Sequence, residues 1–305
     1  GVPEVVDSGR AGLLHESGNV KELTDALGRL ARSPELRGSL SAAAKDEARR
    51  RFSRERMARG ARIGYRRALA RRAYDLAYVL SQFPKVSETF VLREIVEMRR
   101  RGLRIAIVSL KPSRERVTHP EARALLAHRI LPAWLSPRVA GANAAEFSRQ
   151  PLEYMRTLID YAGLHRERPR ELLKALAVWP KTVAAARALG RRGVRHMHAH
   201  WATIPTASAI AIARLLRTQF SFTPHAYDLY GAPLAPAEKT RRAAFVTTDI
   251  QRNVDFLRSI APDADPAKIH LVRSFLKFPD ANDARRSEKA SPPAILAVGS
   301  LERYK

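Results

Sequence analysis

Between residues 76 and 271, short apolar runs alternate with longer amphipathic stretches, and few folds are compatible with that alternation. "LAYVLSQF" is too short for a buried helix and is followed by a stretch, capped by Ser87, that places Phe90, Ile95 and Met98 on one helical face. Arg99 to Arg101 close that stretch, where the helix dipole favours cations, and Gly102 stops it. "RIAIVSL" then reads as the next strand, so residues 76–110 form a right-handed βαβ unit. The pattern resumes with "VRHMHAH" (strand), "TASAIAIARLL" (helix), "FSFTPHA" (strand), "KTRRAAFVTT" (helix into strand), "IQRNVDFLRSI" (helix) and "KIHLVR" (strand). Strands separated by helices cannot close as hairpins, which predicts an α/β domain: a Rossmann-like parallel sheet with helices on both faces.

The flanks read differently. Val5-Val6 suggests a short strand and Asp7 to Gly9 a turn, after which the chain is mostly helical. Asn19 with Glu22 forms a capping box for a helix through Ala31, Ser33-Pro34 opens a second, and Ser53 a third ending near Arg72. Residues 119–190 suggest a strand near Ile130 and helices around 151–164 and 170–189, the second interrupted at Pro180. Residues 278–293, rich in Asp, Asn, Ser and Pro, read as a linker, and "AILAVGSLERYK" as the start of another domain. The expected organisation is a helical segment over 1–72, a Rossmann-like domain over 73–277, the linker, and a truncated domain over 294–305.

Of 305 residues, 55 are basic and 30 acidic, giving a net charge of +25. Such a field attracts polyanions: nucleic acid, anionic lipid, or phosphorylated small molecules. The arginines are dispersed, and no aromatic-basic motif of the RNA-binding folds appears, so nucleic acid is not expected as a partner. Without cysteine, neither a disulfide nor a thiolate metal site is available. No apolar run reaches the ~18 residues that span a bilayer, and no charged-then-apolar leader precedes Gly1. The expectation is a soluble, cytoplasmic protein, with attachment to the inner face of a membrane as a variant of it.

Open parallel sheets bind ligands beyond the carboxyl ends of their strands, so position on a strand says more than residue type. His200 closes "HMHAH" and His225 closes "FSFTPH". Two consecutive strands thus deliver a histidine to one edge. His196, His198 and His200 alternate and share one strand face, but no general base or second shell is nominated for zinc, so no metal is expected. The turn "SQFPKVSET" stands where a dinucleotide-binding fold carries G-x-G-x-x-G and contains no glycine. Ser87, Glu88 and Thr89 still open a helix whose amides suit an anion or a hydroxyl. Asp228, three residues past His225, is placed to return a carboxylate towards the imidazole and raise its basicity, or else to cap the next turn.

Four segments, "YVLSQFPKVSETFVLREI", "HMHAHWA", "FSFTPHAYDLY" and "ILAVGSLERYK", resemble, in order and approximate spacing, the N-terminal half of retaining, nucleotide-sugar-dependent glycosyltransferases of family four. The bacterial exopolysaccharide and colanic-acid types look most similar. The first seventy residues resemble the other end of the same family, so the order is tail first, then head. About one hundred residues of the family's nucleotide-binding domain, with the paired-glutamate E-x7-E motif, have no counterpart. The resemblance implies two facing Rossmann-like domains (the GT-B fold), a nucleotide diphosphate sugar donor, a saccharide or lipid-linked acceptor, retention at the anomeric carbon and no cofactor. It implies a catalytic place near the reacting carbon for His225, with His200 beside it and Asp228 orienting that loop, substrate contacts for Ser87, Glu88, Thr89 and Tyr227, and a phosphate contact for Lys305. Ser300 stands where many members have an arginine, and with the donor half largely lacking, weak or no turnover is expected of the chain alone. Two other readings remain: a sugar-nucleotide epimerase on the same fold, and a non-catalytic basic module that meets an anionic membrane or a partner transferase. The last rests on the charge and on the stretch around Trp179.

Overall fold

The computed structural model describes residue 6 and residues 9–53, 55–58, 75–115, 119–134 and 136–273. Val5 of the expected strand, most of the third N-terminal helix, the linker, Ser300 and Lys305 lie outside them, and Val6 lies in a turn. The chain divides into two compact units, one holding the helices up to Met57 and the other within Ala58–Val272.

In the first unit, helices α1 (Val20–Arg32) and α2 (Pro34–Arg51) begin where their caps predict. Asn19 Oδ1 accepts from the Glu22 amide at 3.1 Å, and Ser33 Oγ from the Leu36 amide at 3.1 Å. The capping box is only half formed, because the Glu22 carboxylate takes the Glu16 amide instead.

The second unit is built on a seven-stranded sheet, parallel throughout: β1 (Leu76–Gln82), β2 (Ile105–Lys111), β3 (Arg129–Ile130), β4 (His196–His200), β5 (Gln219–Thr223), β6 (Phe245–Thr248) and β7 (Ile269–Leu271). Their spatial order is β3-β2-β1-β4-β5-β6-β7. The chain therefore winds outward from β1 to β3, returns to the far side of β1, and winds outward again. The reversal falls between β1 and β4, and a crevice opens at the carboxyl ends of strands at such a point.

Helix α3 (Thr89–Arg100) lies on one face of the sheet and buries Val91, Ile95 and Met98 with Leu76, Tyr78, Ile105 and Ile107. Gly102 follows it at φ 89°, a left-handed stop that glycine adopts without cost. Two short helical pieces precede β3, the longer being α4 (Pro120–Leu125). On the other face, α5 (Pro137–Arg149) packs outside α6 (Pro151–Gly163) and α7 (Pro169–Gly190), which with α8 (Ile204–Leu216) lie over Ala77, Val79, Met197, Ala199 and Phe222. Small buried residues line α8, and Ser208 Oγ lies 3.1 Å from Thr182 Oγ1 on α7.

Three expectations are corrected. Ser87 does not cap α3: residues Val86–Glu88 form a 3-10 turn, the helix begins at Thr89, and exposed Ser87 makes no capping bond. Pro180 does not interrupt α7, which runs straight through it. Neighbouring groups bond the carbonyls around that proline, Asn143 Nδ2 donating to Pro180 O at 2.9 Å and Trp134 Nε1 to Ala177 O at 2.9 Å. Finally, α5 is a helix the apolar pattern did not nominate, although Ser136-Pro137 carries its cap, Ser136 Oγ accepting from the Val139 amide. Among the described residues no helix is long and apolar enough to cross a membrane.

Candidate functional site

The reversal point gathers an unusual set of side chains. His196, His198 and His200 share the α3 face of β4 and are all buried. Parallel register sets His198 beside Tyr78 and Ser221, and His200 beside Thr223. The two deeper rings are tied into the sheet: His196 Nε2 lies 2.7 Å from Ser221 Oγ, and His198 lies 2.8 Å from Ser221 Oγ by Nδ1 and 3.1 Å from Thr223 Oγ1 by Nε2. Thr223 passes the network on to Thr247 at 2.5 Å. Removed from water and partnered by neutral hydroxyls, these imidazoles resist protonation. Burial holds His196 down at about 4 and His198 well below the usual histidine range. They are structural members of the core.

His200 is different. Its Nδ1 stands 3.4 Å from His225 Nε2, the rings stacked with centroids 5.7 Å apart. Its Nε2 has no hydrogen-bond partner and faces Glu94 Oε2 at 3.7 Å, while Tyr78 Oη donates to Glu94 Oε1 at 2.7 Å. Burial alone would raise the Glu94 carboxyl, but His200 foremost, with His198 and the tyrosine hydroxyl, holds it at about 2. The line Tyr78–Glu94–His200–His225 thus runs from the sheet interior to the strand ends. Sequence reasoning missed Glu94, although the signal was there: it sits four residues after Phe90 on the otherwise apolar face of α3.

His225 is partly exposed, with Phe90 edge-on at 4.9 Å and Trp201 at 4.5 Å between ring centroids. Burial first and His200 second push its pKa down to about 3, so the ring is neutral near pH 7. An ionised carboxylate only accepts, so Glu94 favours a proton on His200 Nε2. In the tautomer where His200 Nδ1 accepts from His225 Nε2–H, His225 Nδ1 is left as a bare acceptor. Such an atom binds a hydroxyl donor.

Asp228 makes no hydrogen bond to the imidazole, which corrects the expectation of a carboxylate returned to the ring, while its bonds fit the expected orienting of the loop. Its Oδ1 accepts from the His225 backbone amide at 2.8 Å, and its Oδ2 from the Ala202 amide. The carboxylate therefore clamps together the loops that leave β4 and β5 and orients His225 through its backbone. Fully buried Lys239 lies in the same region, its Nζ donating to the Ala202 carbonyl at 2.8 Å. Burial raises Asp228 to about 6 and lowers Lys239 to about 7, each charge partly offsetting the other's penalty. Between the clamped residues, Trp201 holds φ 75°, a left-handed conformation that a bulky side chain adopts only under constraint.

The remaining predicted residues are scattered. Tyr227 is exposed on the one-turn π-helix Tyr227–Gly231 that follows His225. Ser87 is exposed, Thr89 is half-buried, and the Glu88 carboxylate is buried and turned back onto Lys85 Nζ at 2.8 Å. The structure thus brings together His200, His225 and Asp228. A metal is a separate question, because Glu94, His198 and His200 each offer a ligand atom within 4.8 Å of the others. Both His198 nitrogens already meet hydroxyls, so an ion would have to displace one of them. A depression of about 600 Å³ lined by Arg214, Gln219, Phe245 and His270 opens at the amino ends of the strands, the wrong edge for this site. The chain matches no protein-family model and no curated protein.

Proposed function

We propose that the second unit is the acceptor half of a retaining glycosyltransferase, which passes a hexose from a nucleotide diphosphate sugar to a saccharide or lipid-linked acceptor. The observation that carries this reading is the meeting of buried His200, the last residue of β4, with partly exposed His225 just past β5, beside the reversal of strand order. A neutral imidazole with a free acceptor nitrogen, bordered by Phe90, Trp201 and exposed Tyr227, suits a polyhydroxylated ring better than a phosphate. In this reading His225 accepts a hydrogen bond from a sugar hydroxyl near the reacting carbon, and His200 with Glu94 fixes its tautomer. Asp228 is a positioning residue that holds the loop. The resemblance of the strand-end segments to family-four transferases supports the same assignment.

Saturation-transfer NMR on the purified chain, with uridine and guanosine diphosphate hexoses and a set of oligosaccharides, tests it. Transfer to sugar protons that His225→Ala abolishes is the expected result. No transfer from any of these compounds, or transfer indifferent to His225→Ala, contradicts it.

A further inference from the structure

Helices α6 and α7 are apolar on both sides. Their inner faces bury Thr157, Tyr161, Ala175, Val178 and Trp179, so Trp179, the residue on which a membrane reading of the sequence relied, belongs to the core. Its Nε1 donates to Tyr154 Oη at 2.9 Å. The outer faces nevertheless expose Leu152 at 73%, Ile159 at 67% and Leu173 at 69%, far more than a core-facing helix leaves in water. Trp134, 59% exposed, joins them through its bond to Ala177 O, one turn beyond Leu173.

Cations share this face. Helical spacing puts Arg156 in line with Leu152 and Ile159, and Arg170 in line with Leu173. Arg166 and Arg168 lie in the connection between the helices. None of these four makes a side-chain ion pair or hydrogen bond among the described residues. The acids nearby are largely spent: Glu153 pairs with Arg214 at 2.5 Å, Asp160 with Arg242 at 2.6 Å and Glu171 with Lys174 at 2.6 Å, which leaves Glu167.

We infer that this outer face docks on an anionic lipid bilayer, Leu152, Ile159, Leu173 and Trp134 entering the headgroup boundary while the free arginines meet lipid phosphates. Apolar side chains interleaved with arginine suit that interface, where each guanidinium gains from the negative surface and each apolar group from leaving water. A second copy of the chain fits less well, since both partners would carry +25. The inference does not rest on the transfer reading, because a docked module with no catalysis would show the same face.

Sedimentation of the full chain with vesicles of equimolar phosphatidylcholine and phosphatidylglycerol tests it, with pure phosphatidylcholine vesicles as reference. Binding to the anionic vesicles alone, weakened by salt, is expected. Leu173→Asp and Ile159→Asp, both at exposed positions, should each lower the partition coefficient about tenfold with an unchanged melting temperature. Val20→Asp on α1, at a residue 73% exposed, adds the same charge elsewhere and should change binding less than about twofold. Failure to bind anionic vesicles, equal effects of Leu173→Asp and Val20→Asp, or self-association that Leu173→Asp abolishes would each overturn the proposal.

Discussion

Replacing Glu94 by Gln keeps the shape of the side chain and removes the charge that faces His200. In the folded protein the carboxyl sits at about 2, against 4.5 without the surrounding structure. A shift of that size corresponds to about 3 kcal/mol of preference for the ionised form, as an order of magnitude. Because the folded value is depressed, the contribution is complete above pH 4.5 and is lost as the pH falls towards 2. Urea titrations of wild type and Glu94→Gln at a series of pH values therefore have a defined outcome. The variant should be less stable by about 3 kcal/mol near pH 5, and the gap should narrow steadily as the pH falls towards 3. The Tyr78 hydroxyl can still donate to the side-chain carbonyl of the substituted amide, so a lost hydrogen bond does not explain such a gap. A variant as stable as wild type near pH 5, or a gap independent of pH, would refute the idea that His200 holds this carboxylate.

Three further outcomes follow from the same geometry. His196, His198 and His225 refuse protons that the unfolded chain accepts below pH 6.5, so stability should fall as the pH drops from 6.5 to 4, by about 3 kcal/mol from His196 alone. Asp228, raised to about 6, works the other way over the same interval, but three rings outweigh one carboxyl, and a melting temperature flat across this range would contradict the account. Asn143→Ala removes Nδ2 bonds to Val139 O and Pro180 O and the acceptor for Tyr154 Oη, and should cost about 2 kcal/mol in denaturant; a loss below about 0.5 kcal/mol would mean that these bonds do not help hold α5 against α6 and α7. Asp228→Ala should slow or abolish any ligand response at His225 while leaving His196 and His198 signals in place, and a His225 response like that of wild type would remove Asp228 from the site.

The fold was legible because apolar runs of strand length fell between helical stretches, and because Asn19, Ser33 and Gly102 punctuate the chain with chemistry that acts locally. What escaped was long-range. Helix α5 has small residues where a stripe of large ones would have announced it, and its cap at Ser136 was the one clear mark. Pro180 misled because Val178, Trp179, Thr182 and Val183 are buried around it, and the groups they pack against come from elsewhere in the chain. At the site, strand position alone brought His200 and His225 to one edge. The direction of the Asp228 carboxylate, towards two backbone amides rather than a ring, depends on how the loop after β5 turns. Glu94 announced itself only as a charge on an apolar helix face, and its partner lies 106 residues away, as the numbering of His200 shows.

The most direct test of the account is the side-chain nitrogen spectrum of the histidines, recorded through a pH titration with and without an oligosaccharide acceptor. His225 should stay neutral down to about pH 3, and its ring signals, with those of His200, should move on ligand addition while His196 and His198 hold still. A His225 that titrates near 6.5, or a ligand that leaves both strand-end rings unmoved, would contradict the claim that these two imidazoles form the lip of a sugar-binding crevice.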